Sequence, residues 1–513
     1  MASIRVFSGA SLGLEAFPVE VEVDATPGLH FFNIVGLPDK TVEESKDRIA
    51  SAIRNTGFIA PKQKNQRIIV NLAPADIRKE GPGYDVPVAL GYLLATKQIV
   101  FNPSKKVVVG ELSLDGSIRR ISGILPLVVM AKNHGYEEII VPHENTPEAS
   151  IVKGIKISGV NSLGELIGYL QGKTILKNVA TVNYQDYVTK NALKKDFEMS
   201  HIKGQEQAKR ALVIAASGGH NILMHGPPGS GKTLLAKALA GIMPPMNHEE
   251  AIEVTKIYSV AGLIKDTPLI THRPFRNPHH STSAVAIVGG GSWPKPGEIT
   301  LAHRGVLFLD EFPEFPRTVI EALRQPMEQG EVIVSRAAGT LTFPARFILI
   351  AAMNPCPCGN YGDEVRACTC SAGSIERYQK KISGPILDRI DIQIRVSRES
   401  YEKLQSTETS GPSPETMLAT IALARERQAT RLKETGLLTN SEMGPREIQQ
   451  YCKLTPDAES IVKKAVTAHH LSGRGYHKLL KLARTIADVS GHDIINVNDV
   501  AEAVGHRIDV QQN

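Results

Sequence analysis

Val19, Val21 and Val23 alternate with Glu20, Glu22 and Asp24, the period of two that turns one face of a β-strand toward a core. Further along, Thr41 and Glu44 form a capping-box pair, and Val42, Ile49, Ala52 and Ile53 recur behind them at helical spacing. Short apolar runs predict strands at 68–72, 107–109 and 139–141, with a helix over 127–133 between the last two. Residues 1–172 therefore read as one mixed α/β domain. Residues 173–200 are polar, lysine-bearing and without a sustained period, which predicts a linker. Apolar runs ending in turn residues then resume, so 201–400 reads as a second α/β unit. After the turn-rich Ser410-Gly411-Pro412-Ser413-Pro414, residues 401–513 read as helices with short breaks.

Composition changes this picture little. The chain has 513 residues, 42% hydrophobic and 22% charged, ordinary values for a soluble protein of two to four domains. No apolar run approaches the roughly 18 residues of a membrane span. The opening residues show no basic stretch followed by an apolar block, so no signal peptide is expected. Five cysteines are too few, and an odd number, for a disulfide scaffold. A cytoplasmic protein is the expectation. Net charge is +6, with 18 basic against 18 acidic side chains in residues 1–172 and 22 against 18 in 201–400. That balance permits a polyanionic partner without demanding one.

Chemistry enters at Ile222-Leu223-Met224-His225, an apolar strand running into Gly226-Pro227-Pro228-Gly229-Ser230-Gly231-Lys232-Thr233 and then a helical stretch. This is a phosphate-binding loop in its strand–loop–helix context. Its glycines turn backbone N–H groups toward phosphates, and the helix N-terminus adds positive dipole. Lys232 would reach the β- and γ-phosphates of ATP, and Thr233 would hold Mg²⁺. A second apolar strand, 305–309, ends in Asp310-Glu311. A carboxylate there suits a Mg²⁺ ligand, and Glu311 beside it could polarise a water. A third strand, 347–352, runs to Met353-Asn354-Pro355 and sets a neutral amide where γ-phosphate or water would sit.

These residues, with Arg276-Asn277-Pro278-His279-His280-Ser281, Gly289-Gly290-Gly291, Pro296-Gly297-Glu298 and Asn354-Pro355-Cys356-Pro357-Cys358-Gly359, resemble the magnesium-chelatase-like branch of the AAA+ ATPases. That branch includes the bacterial competence ComM (YifB) family, and the likeness runs over almost the whole chain. It implies an AAA+ core over 201–400 and an all-helical lid over 401–513. It further implies that Asn354 acts as sensor 1, Arg389 in Leu387-Asp388-Arg389-Ile390-Asp391 as an arginine finger and Arg474 as sensor 2. Guanidinium groups suit charge spread over phosphate oxygens. A surface ion pair is the alternative for Arg389, and Arg484 competes with Arg474.

Four cysteines, Cys356, Cys358, Cys368 and Cys370, crowd residues 356–370. Four thiolates can close a structural zinc site. The one-residue gap within each pair is tighter than usual, so a loop of free thiols is the alternative. Cys452 reads as core. In residues 1–172, Lys79-Glu80-Gly81-Pro82-Gly83-Tyr84-Asp85 and Ile121-Ser122-Gly123-Ile124-Leu125-Pro126 resemble the active-site segments of Lon-type proteases. Those need a Ser nucleophile and a Lys base, but Gly83 and Leu125 stand in their places. The domain therefore looks like a Lon-like fold used without proteolysis, as in the RadA recombination proteins, whose Lys-Glu-Gly-Pro-Gly turn it shares.

By the same resemblance the chain would be an ATP-driven, homohexameric DNA helicase acting on branched or single-stranded DNA in recombination and natural transformation, with no membrane role. The stretch 331–342 reads as a hairpin that would point Arg336 at DNA, unless Arg336 merely pairs with a carboxylate. The competing readings are the motor of a metal chelatase and a remodeller of proteins.

Overall fold

A computed structural model describes residues 4–508, apart from 178, 182–183, 192–198, 265–266, 292–293, 337–338, 364–365 and 400–411. The chain divides into two compact units, Met1–Asn191 with His248–Thr271, and Ala192–Asn247 with His272–Asn513.

The first unit is built on a seven-stranded sheet ordered Phe31–Val35, Gln66–Ala73, Glu15–Pro27, Ile4–Leu12, Lys106–Val108, Glu138–Pro142, Lys156–Val160. Only Glu15–Pro27 runs antiparallel to its neighbours. The valine alternation in Glu15–Pro27 buries Val19, Val21 and Val23, which pack with Ile68, Val70 and Leu72 and with Ile49, Ile53, Leu90 and Leu93 from two helices. The helix Lys40–Asn55 is capped by Asp39, not by the Thr41–Glu44 pair. Asp39 has extended backbone and its carboxylate accepts the Val42 N–H at 2.8 Å, whereas Thr41 already lies inside the first turn. Within 173–200, Tyr184–Asn191 is helical, and the Tyr184 ring meets His248 edge-on. That contact lies far off in sequence, where periodicity does not reach.

The segment His248–Thr271 falls inside 201–400 yet belongs to the first unit. Its helix His248–Val260 packs on the helix Ile124–Asn133. The Gly123 N–H donates to the Ser259 carbonyl at 3.0 Å. Ser259 Oγ donates to Glu148, and Arg120 donates to the Ile264 carbonyl.

The second unit holds a five-stranded, all-parallel sheet in the order Phe275–Arg276, Val306–Leu309, Ile348–Met353, Ile222–His225, Ile392–Arg395. Parallel strands are covered on both faces and so read as continuous apolar runs; every residue of Val306–Leu309 and Ile348–Met353 is buried. The C-terminal part is helical: Pro414–Leu432, Pro445–Tyr451, Pro456–Ala468, Gly473–Ser490 and Val497–Ile508. Among the described residues, no helix is long and apolar enough to cross a membrane.

Candidate nucleotide site

The strand Ile222–His225 lies between two parallel neighbours, so its C-terminal end opens into the crevice where parallel sheets bind ligands. Residues 226–231 turn there into the helix Lys232–Ile242. Gly229 and Gly231 take left-handed φ of +77° and +91°, and a Cβ on either would meet nothing within 4 Å. The backbone needs glycine there, and the space beside it is open. Ser230 Oγ is buried and has no hydrogen-bond partner among the described residues. A phosphate oxygen would supply one.

Lys232 is buried, with Nζ donating to the carbonyls of Gly226 and Pro227 at 2.8 and 2.9 Å and to Asn354 Oδ1 at 3.3 Å. Burial pulls its pKa below the usual lysine range, against the opposing pull of Asp310. A buried ammonium without a counter-ion is costly, and a bound polyphosphate relieves that cost. Thr233 Oγ1 donates to Asp310 Oδ2 at 3.0 Å, so the two oxygens suited to Mg²⁺ already converge. Glu311 follows in a left-handed conformation, φ +52°, a strain typical of functional turns. His280 Nδ1 lies 3.1 Å from Glu311 Oε2. Burial, then the charges of Arg395 and Lys232, push the His225 pKa down to about 4, so this histidine adds no charge beside the loop near neutral pH.

The remaining sequence candidates fall elsewhere in this unit. Arg389 and Arg474 both pair with Glu328, on the helix Arg324–Gln329. Burial alone would raise the Glu328 carboxyl, but the two guanidinium groups hold it below its ordinary value. Arg389 also donates to the Pro385 carbonyl, and its Nε is buried without a partner among the described residues. Arg484 is 1% exposed and committed to Asp488 and to the carbonyls of His492 and Asp493, which makes it a structural residue of the helical region. Glu331–Arg336 and Gly339–Pro344 pair as an antiparallel hairpin; the Arg336 side chain lies outside the described residues.

Cys356, Cys358, Cys368 and Cys370 converge, their sulfurs all within 4.8 Å of one another. Three of the separations are 3.4, 3.6 and 3.6 Å. A zinc–thiolate tetrahedron with bonds of about 2.3 Å has edges of about 3.8 Å, so the set has the dimensions to hold a metal ion. Backbone N–H groups of Tyr361 and Cys370 donate to Cys356 and Cys368. Donation from the Asn360 and Thr369 backbone holds the Cys358 thiol down at about 5. Cys452 is buried in the core of this unit, at the end of the helix Pro445–Tyr451.

In the first unit, Gly83 sits in a short turn beside Ile121, and Leu125 is fully buried. The Leu125 N–H donates to Glu148 Oε1 at 3.2 Å. Asp85 is gripped by Arg48 and by the Leu112 N–H. Neither Gly83 nor Leu125 carries a nucleophile or a base.

Three family models match. "Magnesium chelatase, subunit ChlI" covers residues 198–404, "Subunit ChlI of Mg-chelatase" 21–145 and "Magnesium chelatase, subunit ChlI C-terminal" 411–507. The competence protein ComM of Haemophilus influenzae is 42% identical over 509 residues, 99% of this chain and 98% of that protein. The chain belongs to the ComM (YifB) family. YifB of Escherichia coli is 41% identical over 98% of this chain and 96% of its own length. The magnesium-chelatase 38 kDa subunit of Cereibacter sphaeroides is 29% identical over 32% of this chain and 54% of its own. As a ComM-family protein the chain is a magnesium-chelatase-like AAA+ ATPase. Two residues of this ComM-family site escaped the sequence: His280 against Glu311, and Glu328 beneath the two arginines. His280 lies within a motif quoted for the family, but a carboxylate on a helix, such as Glu328, carries no local signal.

Proposed function

We propose that this ComM-family ATPase is a cytoplasmic, ring-shaped motor on DNA that promotes branch migration during recombination and natural transformation. The observation that carries this reading is full-length likeness to a relative named for competence, in a chain whose phosphate-site residues converge. Lys232 and the backbone N–H groups of 226–233 would bind the β- and γ-phosphates of ATP. Thr233 and Asp310 would hold Mg²⁺, which when bound neutralises charge on the phosphate oxygens. Glu311 would take a proton from the attacking water, and Asn354 would orient that water. Arg389 and Arg474 gather on Glu328 rather than on residues 226–233. For Arg389 that is compatible with action as a finger on a neighbouring copy's nucleotide, with Arg474 as sensor 2, and by family resemblance the assembly is a homohexameric ring. Arg336, on the hairpin, is the residue assigned to DNA phosphates. The four-cysteine cluster is assigned to structural Zn²⁺, because four thiolates at this spacing suit it.

The family descriptions favour a second reading, the ATPase motor of a chelatase-type complex. ATPase titrations with single-stranded, duplex and branched DNA separate the two. Stimulation by branched or single-stranded DNA supports the motor on DNA. Indifference to all three, with stimulation by a porphyrin-bearing partner, overturns it.

A further inference from the structure

The cysteine loop begins directly after Asn354 and leans on the phosphate loop. Gly359 has a left-handed φ of +82°, and a Cβ there would fall 2.7 Å from Pro228 Cδ and 3.1 Å from Pro228 Cγ, with Asn354 Cγ at 4.0 Å. Bare backbone of the cysteine loop therefore packs on the Pro228 ring, where no side chain fits. The same turn contains the sulfur cluster: the Gly359 N–H donates to the Cys356 carbonyl at 3.0 Å, and the Tyr361 N–H to Cys356 Sγ at 3.3 Å. Pro228 is held a second way. Arg398 donates to its carbonyl at 3.4 Å and pairs at 3.3 Å with Asp363, whose side chain is 4% exposed. Arg395 donates to the Gly362 carbonyl at 2.7 Å from a strand that pairs with Ile222–His225.

Among the described residues, 354–371 contain no helix or strand. Neutral thiols hydrogen-bond weakly, and four ionised thiolates at this spacing repel one another. A bound divalent ion reverses that balance, because it ties the two ends of the loop at one point.

We propose that the cysteine loop is a metal-dependent brace for the phosphate loop: an ion of the zinc class on Cys356, Cys358, Cys368 and Cys370 fixes the turn through Gly359, and that turn sets the position of Pro228. Nucleotide affinity then depends on a metal that never touches nucleotide. The proposal rests on reading the four thiols as a metal site.

The test uses the full chain purified without chelator, with metal content measured by mass spectrometry and a fluorescent ATP analogue titrated in excess Mg²⁺. Wild type should carry zinc. Stripping with a chelator and restoring Mg²⁺ should weaken analogue binding by roughly tenfold, and zinc should restore it. The double variant Cys358→Ser, Cys370→Ser should lose both metal and affinity. Gly359→Ala should keep its metal yet bind the analogue several-fold more weakly, because the added methyl displaces Pro228. Gly373→Ala, where a Cβ meets nothing within 4 Å, should match wild type. Retained metal in Gly359→Ala also shows that the loop has folded. Wild type that takes up no zinc sinks the metal reading itself. Wild type that holds zinc, but binds nucleotide within about twofold after stripping and in Gly359→Ala, sinks the brace alone.

Discussion

Ser230 is buried in the phosphate loop with its hydroxyl unpartnered among the described residues, and the Lys232 ammonium is buried there on neutral carbonyl and amide oxygens, whereas Asp85, Asn145 and Glu148 are buried in the first unit against partners of their own. Ser230 Oγ has no partner among the described residues, and burial depresses the Lys232 pKa. In the first unit, Asp85 takes Arg48 and the Leu112 N–H, Asn145 closes both polar ends on Ile121, and Glu148 takes Ser259 and the Leu125 N–H. Buried polar groups are normally satisfied, so the unpartnered Ser230 hydroxyl, in a loop with open space beside Gly229 and Gly231, marks a place where a ligand completes the structure. One region is built to be finished by nucleotide. In the other, Asp85, Asn145 and Glu148 are already satisfied by protein.

The hardest blow to that contrast falls on the phosphate site. Lys232→Ala should abolish nucleotide binding, since it removes the buried ammonium that sits against the phosphate loop. Glu311→Gln should still bind ATP but hydrolyse it about 10²- to 10⁴-fold more slowly, because cradle and Mg²⁺ ligands survive while the proton acceptor does not. Equal ATPase rates for Glu311→Gln and wild type would break the assignment.

Next in size is the test of Arg389. Its pairing with Glu328 shows which residues it touches in an isolated chain, and the ring reading requires it to reach a neighbour's γ-phosphate. Arg389→Ala and Lys232→Ala chains should each be inactive alone and recover part of the ATPase when mixed, because some shared interfaces then hold one intact composite site. Absence of rescue at every mixing ratio would place Arg389 in its own subunit's chemistry.

The closed region should answer in stability and not in turnover. Leu125 is fully buried beside Glu148, so Leu125→Ala should cost about 2–5 kcal/mol by leaving a cavity, read as accelerated hydrogen exchange in the helix Ile124–Asn133. Gly83→Ser should not create peptidase activity, since the place of the base still holds an aliphatic side chain. Casein cleavage by the Gly83→Ser protein would show that the region retains catalytic capacity.

Legibility in the sequence follows the range of the interaction. The valine alternation over 19–23 is a local pattern that predicts a strand of the first unit's sheet, and the loop 226–233 with the strands ending at Asp310 and Asn354 are local patterns that predict the second unit's sheet and the nucleotide site at once. Ser259 on Glu148, the Tyr184 ring on His248 and the Gly359 turn on Pro228 join residues scores of positions apart. No local period encodes such contacts. The helix cap moved from Thr41 to Asp39 for a smaller reason, because both neighbours carry capping chemistry and backbone direction alone decides between them. The meeting of Arg389 and Arg474 on Glu328 was equally hidden, since Glu328 looks like any exposed helix carboxylate until the fold brings the arginines to it.

The smallest effect, and the one that probes how completely the first unit satisfies itself, is a pH dependence. Burial lifts the Asp85 pKa to about 6, against Arg48 and the Leu112 N–H, which pull it down. Glu148 is lifted in the same direction, again by burial, with Ser259, Leu125 and Arg120 opposing. A carboxyl whose folded pKa exceeds its unfolded value takes up a proton on folding, so this contribution to stability grows as pH falls from about 6 toward 4. Its slope is at most about 1.4 kcal/mol per pH unit for each proton taken up. Glu138 works the other way: burial would raise it, but Lys106, Ser158 and Tyr169 hold it at about 2. Its stabilising contribution is present above its ordinary 4.5 and fades as pH drops toward 2. The first unit should therefore gain stability between pH 6 and about 4.5 and lose that gain in stronger acid. Asp85→Asn should flatten the rise while leaving the later loss in place, measured as exchange protection of the helix Asp85–Ala95 corrected for intrinsic rates. Protection that stays flat from pH 7 to 5 in wild type would mean that Arg48 holds Asp85 ionised throughout, as a permanent ion pair rather than a strained one.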